Sequence, residues 1–112
     1  MDLEKGKAYF GVSFTEAHTE VPEIETYIFI GKDIFTQGAG EYIFQTPWSY
    51  FTHGNFTEIT DQKLKSKAQI NVMSSEIVEI LYTLPELIEY LGETVSKYPE
   101  LFGTITGRDS WK

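Results

Sequence analysis

The stretch "SSEIVEILYTLPELIEYLGETVSKYP", residues 74–99, carries the clearest helix signal in the chain. Apolar residues recur along it at helical spacing, but a continuous helix would hold Pro85 in its interior, at a cost of about 3 kcal/mol. A helix that begins after Thr83 avoids this cost, because Pro85 then lies in the first turn. "TLPE" is also a capping box, in which Thr83 and Glu86 satisfy each other's backbone N–H groups. The sequence therefore predicts a helix over residues 84–98.

The segment before this cap and the buried side of the helix complete the reading of this stretch. Residues 76–82, "EIVEILY", are rich in β-branched side chains and follow two serines, which predicts a strand, with a short first helix as the alternative. On the helix itself we expect the apolar residues to form one buried stripe. Its members are Leu84, Leu87, Ile88, Leu91 and Val95.

The first third of the chain predicts two strands and a loop. Residues 7–15, "KAYFGVSFT", alternate between apolar and polar, which is typical of a strand with one buried face. That face would contain Ala8, Phe10, Val12 and Phe14. Residues 16–23, "EAHTEVPE", carry charges and a proline and predict a loop. Residues 25–32, "ETYIFIGK", are apolar on both faces and predict a central strand covered on both sides.

The middle of the chain predicts further antiparallel strands. "TQGAGE" at 36–41 is a turn signal, and "EYIFQ" at 41–45 is the next strand. The aromatic run continues to Phe51, and "THGN" at 52–55 then resembles the tip of a hairpin. Residues 63–73 alternate and predict a strand whose lysines face solvent.

These elements predict an α+β fold. We expect a mostly antiparallel sheet with meander connections, and one main C-terminal helix packed on one face in two layers. A last short strand is expected within "LFGTITGR", residues 101–108. The 112 residues correspond to one domain, residues 1–112.

Composition and charge limit which cellular compartments and which binding partners we expect. The chain has no cysteine, so thiolate metal sites and cysteine nucleophiles are excluded. It has no apolar run long enough for a signal peptide or a membrane span, so we expect a cytoplasmic protein that does not bind membranes. Its net charge of −8 opposes nucleic-acid binding and would attract a basic protein partner, and the need to keep the protein soluble explains the same charge.

The segment around residues 42–56 supplies the candidate binding residues. Aromatic residues make up 15% of the chain, and one sheet face covered by one helix cannot bury all of them. The candidates for partner or ligand binding are Tyr42, Phe44, Trp48, Tyr50, Phe51 and His53. No catalytic residue is predicted, because the sequence around His53 forms no recognised motif and is explained by a turn.

One further histidine allows a metal site. Glu16, His18 and Glu20 alternate, so an extended segment would point all three side chains the same way, as ligands of a divalent metal. A solvated acidic loop explains the same residues, and we expect no metal and no cofactor.

Two functions follow from these features. The preferred one is a non-enzymatic binding domain that acts through protein–protein contact, such as an acidic protein that neutralises or regulates a basic partner, in the manner of immunity proteins. The alternative is a small-ligand or carbohydrate-binding domain, which could be an enzyme, with an aromatic pocket at residues 42–56. A binding module should present a flat or convex patch, whereas a ligand domain should present a concave pocket with convergent polar groups.

Overall fold

Four antiparallel strands form the sheet. The computed structural model describes residues 2–15 and 18–102. The strands are β1 (Ala8–Thr15), β2 (His18–Lys32), β3 (Tyr42–Gln45) and β4 (Ile70–Met73). Their order in the sheet is β1-β2-β3-β4, so each strand pairs with its neighbour in sequence. The predicted meander of antiparallel strands is confirmed.

Helices occur both between β3 and β4 and after β4. Within the described part of the chain they are α1 (Pro47–His53), α2 (Gln62–Lys67), α3 (Ser75–Val78), α4 (Leu84–Lys97) and α5 (Pro99–Phe102), with a 3-10 turn over Phe56–Glu58. The α+β class is therefore correct, but the prediction of a single main C-terminal helix is wrong. None of the helices in the described ranges is both long and apolar enough to cross a membrane.

The centre of the sheet is buried on both faces. Ile28, Phe29 and Ile30 are consecutive in β2 and all buried, and the three residues 43–45 of β3 have no exposed surface. Because successive side chains of a strand point to opposite faces, both faces are covered at this point. The predicted central strand at 25–32 is confirmed, and the expected two-layer packing does not follow from this burial.

One face of the sheet carries an aromatic core. Tyr9, Phe29 and Phe44 pack there with Met73, and the segment that follows β4 adds further apolar side chains from Val78 and Leu81. The Phe29 and Phe44 ring centroids are 5.4 Å apart. Such ring pairs contribute about 0.5–1.5 kcal/mol beyond the burial of their area.

Beyond this centre, β1 and β2 continue as a two-stranded arm. In the described pairing, β3 contacts only residues 28–32 of β2, whereas β1 pairs along β2 as far as its start. Residues 18–23 therefore belong to a strand, and the predicted loop at 16–23 is wrong at these positions. At the outer end, Phe14 and Ile24 are exposed, so the buried face predicted for β1 is wrong there, and Tyr9 on the opposite face is buried instead.

The capping box before α4 is present. The Thr83 N–H donates to Glu86 Oε1 at 2.9 Å, and the Glu86 N–H donates to Thr83 Oγ1 at 3.4 Å. The Thr83 N–H, and to a lesser degree the Thr83 hydroxyl that also donates to Oε1 at 2.8 Å, hold the pKa of the Glu86 carboxyl below its ordinary value. The predicted start of this helix is confirmed. The predicted strand at 76–82 is wrong, because Ser74 caps the short helix α3, which was the alternative.

The apolar stripe of α4 is only partly buried. Leu87 is buried, but Leu84 and Ile88 are exposed, which corrects the predicted stripe at these two positions. The helix contacts β1 and α5, and these contacts leave Leu84 and Ile88 exposed. Of residues 101–108, where a last strand was expected, 101 and 102 belong to α5 and the others lie outside the described residues.

The segment at 63–73 is also divided differently from the prediction. The Asp61 carboxylate accepts a hydrogen bond from the Lys63 N–H at 2.8 Å and so caps α2. Strand β4 begins only at Ile70. Lys65 Nζ lies 4.8 Å from the centroid of the Phe56 ring, so this lysine packs on an aromatic side chain. The alternation of lysines had indicated a strand where a short capped helix forms.

Candidate functional site

Helix α1 replaces the predicted hairpin tip. Thr46 Oγ1 accepts a hydrogen bond from the Ser49 N–H at 3.3 Å, and Pro47 occupies the first turn, where no N–H is required. At the other end, Gly54 has a φ of 86°, and its N–H donates to the Tyr50 carbonyl at 2.9 Å. The predicted hairpin with "THGN" at its tip is therefore wrong, and His53 is the last residue of a helix.

A buried hydrogen-bond network fixes α1 to the sheet. Gln45 in β3 has no exposed surface, and its Nε2 donates to Ser49 Oγ at 2.9 Å and to the Gly54 carbonyl at 3.0 Å. Gln45 Oε1 accepts from the Phe56 N–H at 2.9 Å. Ser49 Oγ also accepts from the Gln69 N–H at 2.9 Å. One glutamine side chain thus fixes both the end of α1 and the turn that follows it.

Two aromatic side chains project from α1 into solvent. Trp48 is 63% exposed and Phe51 is 77% exposed. Residues three apart in a helix lie on the same side, so the two rings are neighbours on its surface. The His53 ring meets Trp48 edge-on, with centroids 5.4 Å apart. We call Trp48, Phe51 and His53 the α1 aromatic face.

The other predicted site residues lie elsewhere. Phe44 has no exposed surface and belongs to the aromatic core, where a partner cannot reach it. Tyr42 is half-buried, and Lys32 Nζ lies 5.2 Å from the centroid of its ring. Tyr50 is half-buried and lines a cavity of about 410 Å³ that we call the Tyr50 cavity. The structure thus brings together only three of the six predicted residues as one exposed face.

The aromatic residues of 42–56 do not combine into one pocket. Among them Tyr50 lines the Tyr50 cavity, and His53 borders a different cavity of about 350 Å³ beside Leu64. Trp48 and Phe51 line neither of these two cavities.

The His53 side chain is not oriented by a hydrogen-bonded carboxylate in the described part of the chain, although Glu58 and Asp61 line the same cavity. No residue within the described ranges hydrogen-bonds to its imidazole. A general base needs such a group to orient it. No three His, Asp or Glu side chains of the described part of the chain are placed to hold a metal ion. Glu16 lies outside the described residues, so the group Glu16, His18 and Glu20 is not tested.

Charge around the α1 aromatic face is mixed. Helix α2 packs against α1 and carries Lys63, Lys65 and Lys67. Glu58 and Asp61 lie beside His53 at the border of its cavity. The acidic character of the whole chain is thus not concentrated at this face.

Sequence reasoning missed the residues that hold the site in place. Gln45 and Ser49 are polar positions in an aromatic segment, and their burial became visible only with the fold. The helix itself did have a signal, because threonine followed by proline is a typical N-cap and first-turn pair. No family model, no curated protein and no solved structure matches the chain.

Proposed function

We propose that the protein is a binding domain that recognises another protein through the α1 aromatic face. The observation that carries this proposal is the exposure of Trp48 and Phe51, at 63% and 77%, on one side of a short helix. Tryptophan is enriched among the residues that dominate binding energy in protein interfaces, where it fills pockets of the partner. An aromatic pair in this position is suited to act as an anchor.

The way in which α1 is held supports the same proposal. Buried hydrogen bonds from Gln45 and Gln69 to Ser49 fix the helix on the sheet before any partner arrives. Binding then orders only side chains, which lowers the entropic cost of association. A helix that exposes two apolar rings on one side is suited to a hydrophobic groove on a partner.

Net charge indicates the kind of partner. A charge of −8 creates a field that accelerates association with a basic protein. The lysines of α2 lie next to α1, so the part of the partner opposite α2 would carry acidic side chains. Neutralisation or regulation of a basic protein is the form of this function that the overall charge favours.

Capture from an extract of the cells that make the protein tests the proposal. The wild-type protein should retain a partner that the Trp48→Ala/Phe51→Ala double variant does not retain. Removal of a single anchor should weaken binding by about 2 kcal/mol or more. Ile88→Ala is the matched control, since Ile88 is 62% exposed but lies on α4.

Circular dichroism should show that all these variants fold alike, because the altered side chains are exposed. Equal capture by the wild-type protein and the double variant would remove α1 as the contact surface. A loss of capture in Ile88→Ala equal to that in the double variant would do the same.

A further inference from the structure

We propose that the Tyr50 cavity binds the phosphate group of a small organic phosphate. This cavity of about 410 Å³ lies at the end of β2, between the N-terminal segment and the turn that follows α1. Neither Trp48 nor Phe51 lines it, although the Phe51 ring meets the Tyr50 ring edge-on, with centroids 5.4 Å apart.

Two glycines create the space. Gly6 has a φ of 81°, and its N–H donates to the Phe29 carbonyl at 2.8 Å, which docks the N-terminal segment on β2. A Cβ atom at Gly6 would lie 3.5 Å from the Tyr50 hydroxyl. A Cβ atom at Gly31 would lie 3.1 Å from the Ile34 side chain and 3.9 Å from Lys5 Cε. The side chains of Tyr50 and Lys5 therefore lie next to backbone that carries no Cβ atom.

Several hydrogen-bond donors line this space. Lys5 and Lys32 are both lining residues, and neither ammonium group forms an ion pair with a residue that the structure describes. The Lys32 ammonium lies 5.2 Å from the centroid of the Tyr42 ring, a cation–π contact that it would exchange for the anion. The Tyr50 hydroxyl and Asn55 Nδ2 likewise have no hydrogen-bond acceptor among the described residues. The Asn55 Oδ1 atom is occupied, because it accepts from the Thr57 N–H at 2.9 Å and from the Thr57 hydroxyl at 2.8 Å.

The backbone holds Lys32 at the cavity. Asp33, the next residue, has a φ of 53°, which is rare for a residue other than glycine. Its N–H donates to the Glu41 carbonyl at 2.7 Å, and its Oδ1 accepts from the Glu41 N–H at 2.8 Å. These two bonds close the β2–β3 connection directly after Lys32. The lysine is thus carried on a fixed backbone.

The chemistry of the lining selects an oxyanion. Two ammonium groups and two neutral donors oppose one lining carboxylate, that of Glu58. Two positive charges match a phosphate dianion, for which lysine is a common ligand. Ile30 and Ile34 supply an apolar wall for the carbon part of an ester. In a chain of net charge −8, a cavity with more cationic than anionic lining is suited to an anionic ligand.

Amide chemical shifts measured during titration test the site. The probes are inorganic phosphate, glycerol 3-phosphate, and sodium chloride at matched ionic strength. We expect both phosphates to shift the amides of Gly6, Gly31 and Asn55, and glycerol 3-phosphate to bind more tightly. Lys5→Gln and Lys32→Gln should each weaken binding at least about tenfold. Glu58→Gln should strengthen phosphate binding, because it removes a negative charge that repels the ligand.

Lys63→Gln is the matched control, since it removes the same charge from exposed α2. An equal loss of affinity in Lys63→Gln and Lys32→Gln would overturn the site, as would equal shifts with chloride. Inorganic phosphate binding as tightly as the ester would overturn the organic part of the proposal. The Trp48→Ala variant should keep its affinity for phosphate, because Trp48 does not line the cavity, so this inference and the proposed function fail separately.

Discussion

Gln45 connects more of the structure than any polar residue around it. Its amide contacts Ser49, Gly54 and Phe56, and so secures α1 and the following turn against β3. Within the described part of the chain, no buried side-chain nitrogen or oxygen lacks a hydrogen-bond partner. Removal of the amide would leave the Gly54 carbonyl and the Phe56 N–H without this partner, and each unsatisfied buried group costs about 1–3 kcal/mol.

Gln45→Leu should therefore lower the free energy of unfolding by about 3 kcal/mol or more. Urea denaturation of the purified protein measures this change. Gln37→Leu, in the exposed turn at 36–41, should change it by no more than about 0.5 kcal/mol. A loss below about 1 kcal/mol in Gln45→Leu would show that the network does not support α1.

The ionisation of Tyr27 makes the stability of the protein depend on pH in the alkaline range. Burial and, to a lesser degree, the hydrogen bond to the Glu25 carboxylate at 2.7 Å raise the pKa of the Tyr27 hydroxyl to about 12, from 10.0. The unfolded chain ionises first, so this stabilisation is complete below pH 10 and is lost as the pH rises towards 12.

Unfolding experiments at increasing pH should show this loss in the wild-type protein and a smaller loss in Tyr27→Phe. Absorbance of the tyrosinate measures the titration itself. In Glu25→Gln the late-titrating tyrosine should ionise at lower pH, because the negative neighbour is gone. A Tyr27→Phe protein with the wild-type pH profile would refute the assignment.

At the scale of elements, the short helices depend on their caps. Thr83 and Glu86 form a complete capping box before α4, and the sequence predicted it because all its parts lie within four residues. The same local logic applies to Thr46 before α1 and Asp61 before α2. In those two segments the alternation of aromatic residues and of lysines suggested strands, but capped helices form instead.

Thr83→Ala should destabilise the protein by about 1 kcal/mol, whereas Thr83→Ser should retain most of the stability. The pKa of Glu86 is lowered in the folded state, so its contribution is present above the ordinary pKa of glutamate and is lost as the pH falls through the lowered value. Thermal unfolding at neutral and acidic pH measures both effects. An equal effect of Thr83→Ala at both pH values would contradict the role of Glu86.

Long-range contacts explain what the sequence could not predict. The strands at 25–32 and 41–45 were recognisable because their apolar residues fit a buried strand by themselves. Residues 18–23 resembled a loop, yet they pair with β1 along the arm, where Pro22 lies opposite Phe14. The exposure of Leu84 and Ile88 depends on how much of α4 the sheet covers, which their spacing does not encode.

The candidate site, too, could be predicted from the sequence only in part. The aromatic excess around residues 42–56 pointed to the segment that carries the exposed rings of Trp48 and Phe51. Only the fold separates Phe44, which is fully buried, from Trp48, which is exposed. Alternation in a strand would have given these two residues the same face, but the chain leaves the sheet at Thr46 and enters a helix. The exposure of Trp48 therefore depends on where the strand ends and the helix begins.

At the scale of the whole molecule, buried and exposed aromatics occupy different regions. The molecule is elongated, with extents of 49 × 31 × 27 Å, and its core lies where all four strands meet. The α1 aromatic face lies outside this core but is tied to it through Gln45. The fold thus ties the exposed rings of α1 to the buried centre of the sheet.

Fluorescence quenching of Trp48 tests the central claim that this surface binds a protein. The chain has two tryptophans, so Trp111→Phe leaves Trp48 as the sole reporter. In the free protein, acrylamide should quench Trp48 readily, because its ring is 63% exposed. In complex with the captured partner, quenching should fall to about that of a buried tryptophan, since anchor residues are fully desolvated in interfaces. Quenching that is the same in the free protein and in the complex would contradict the claim.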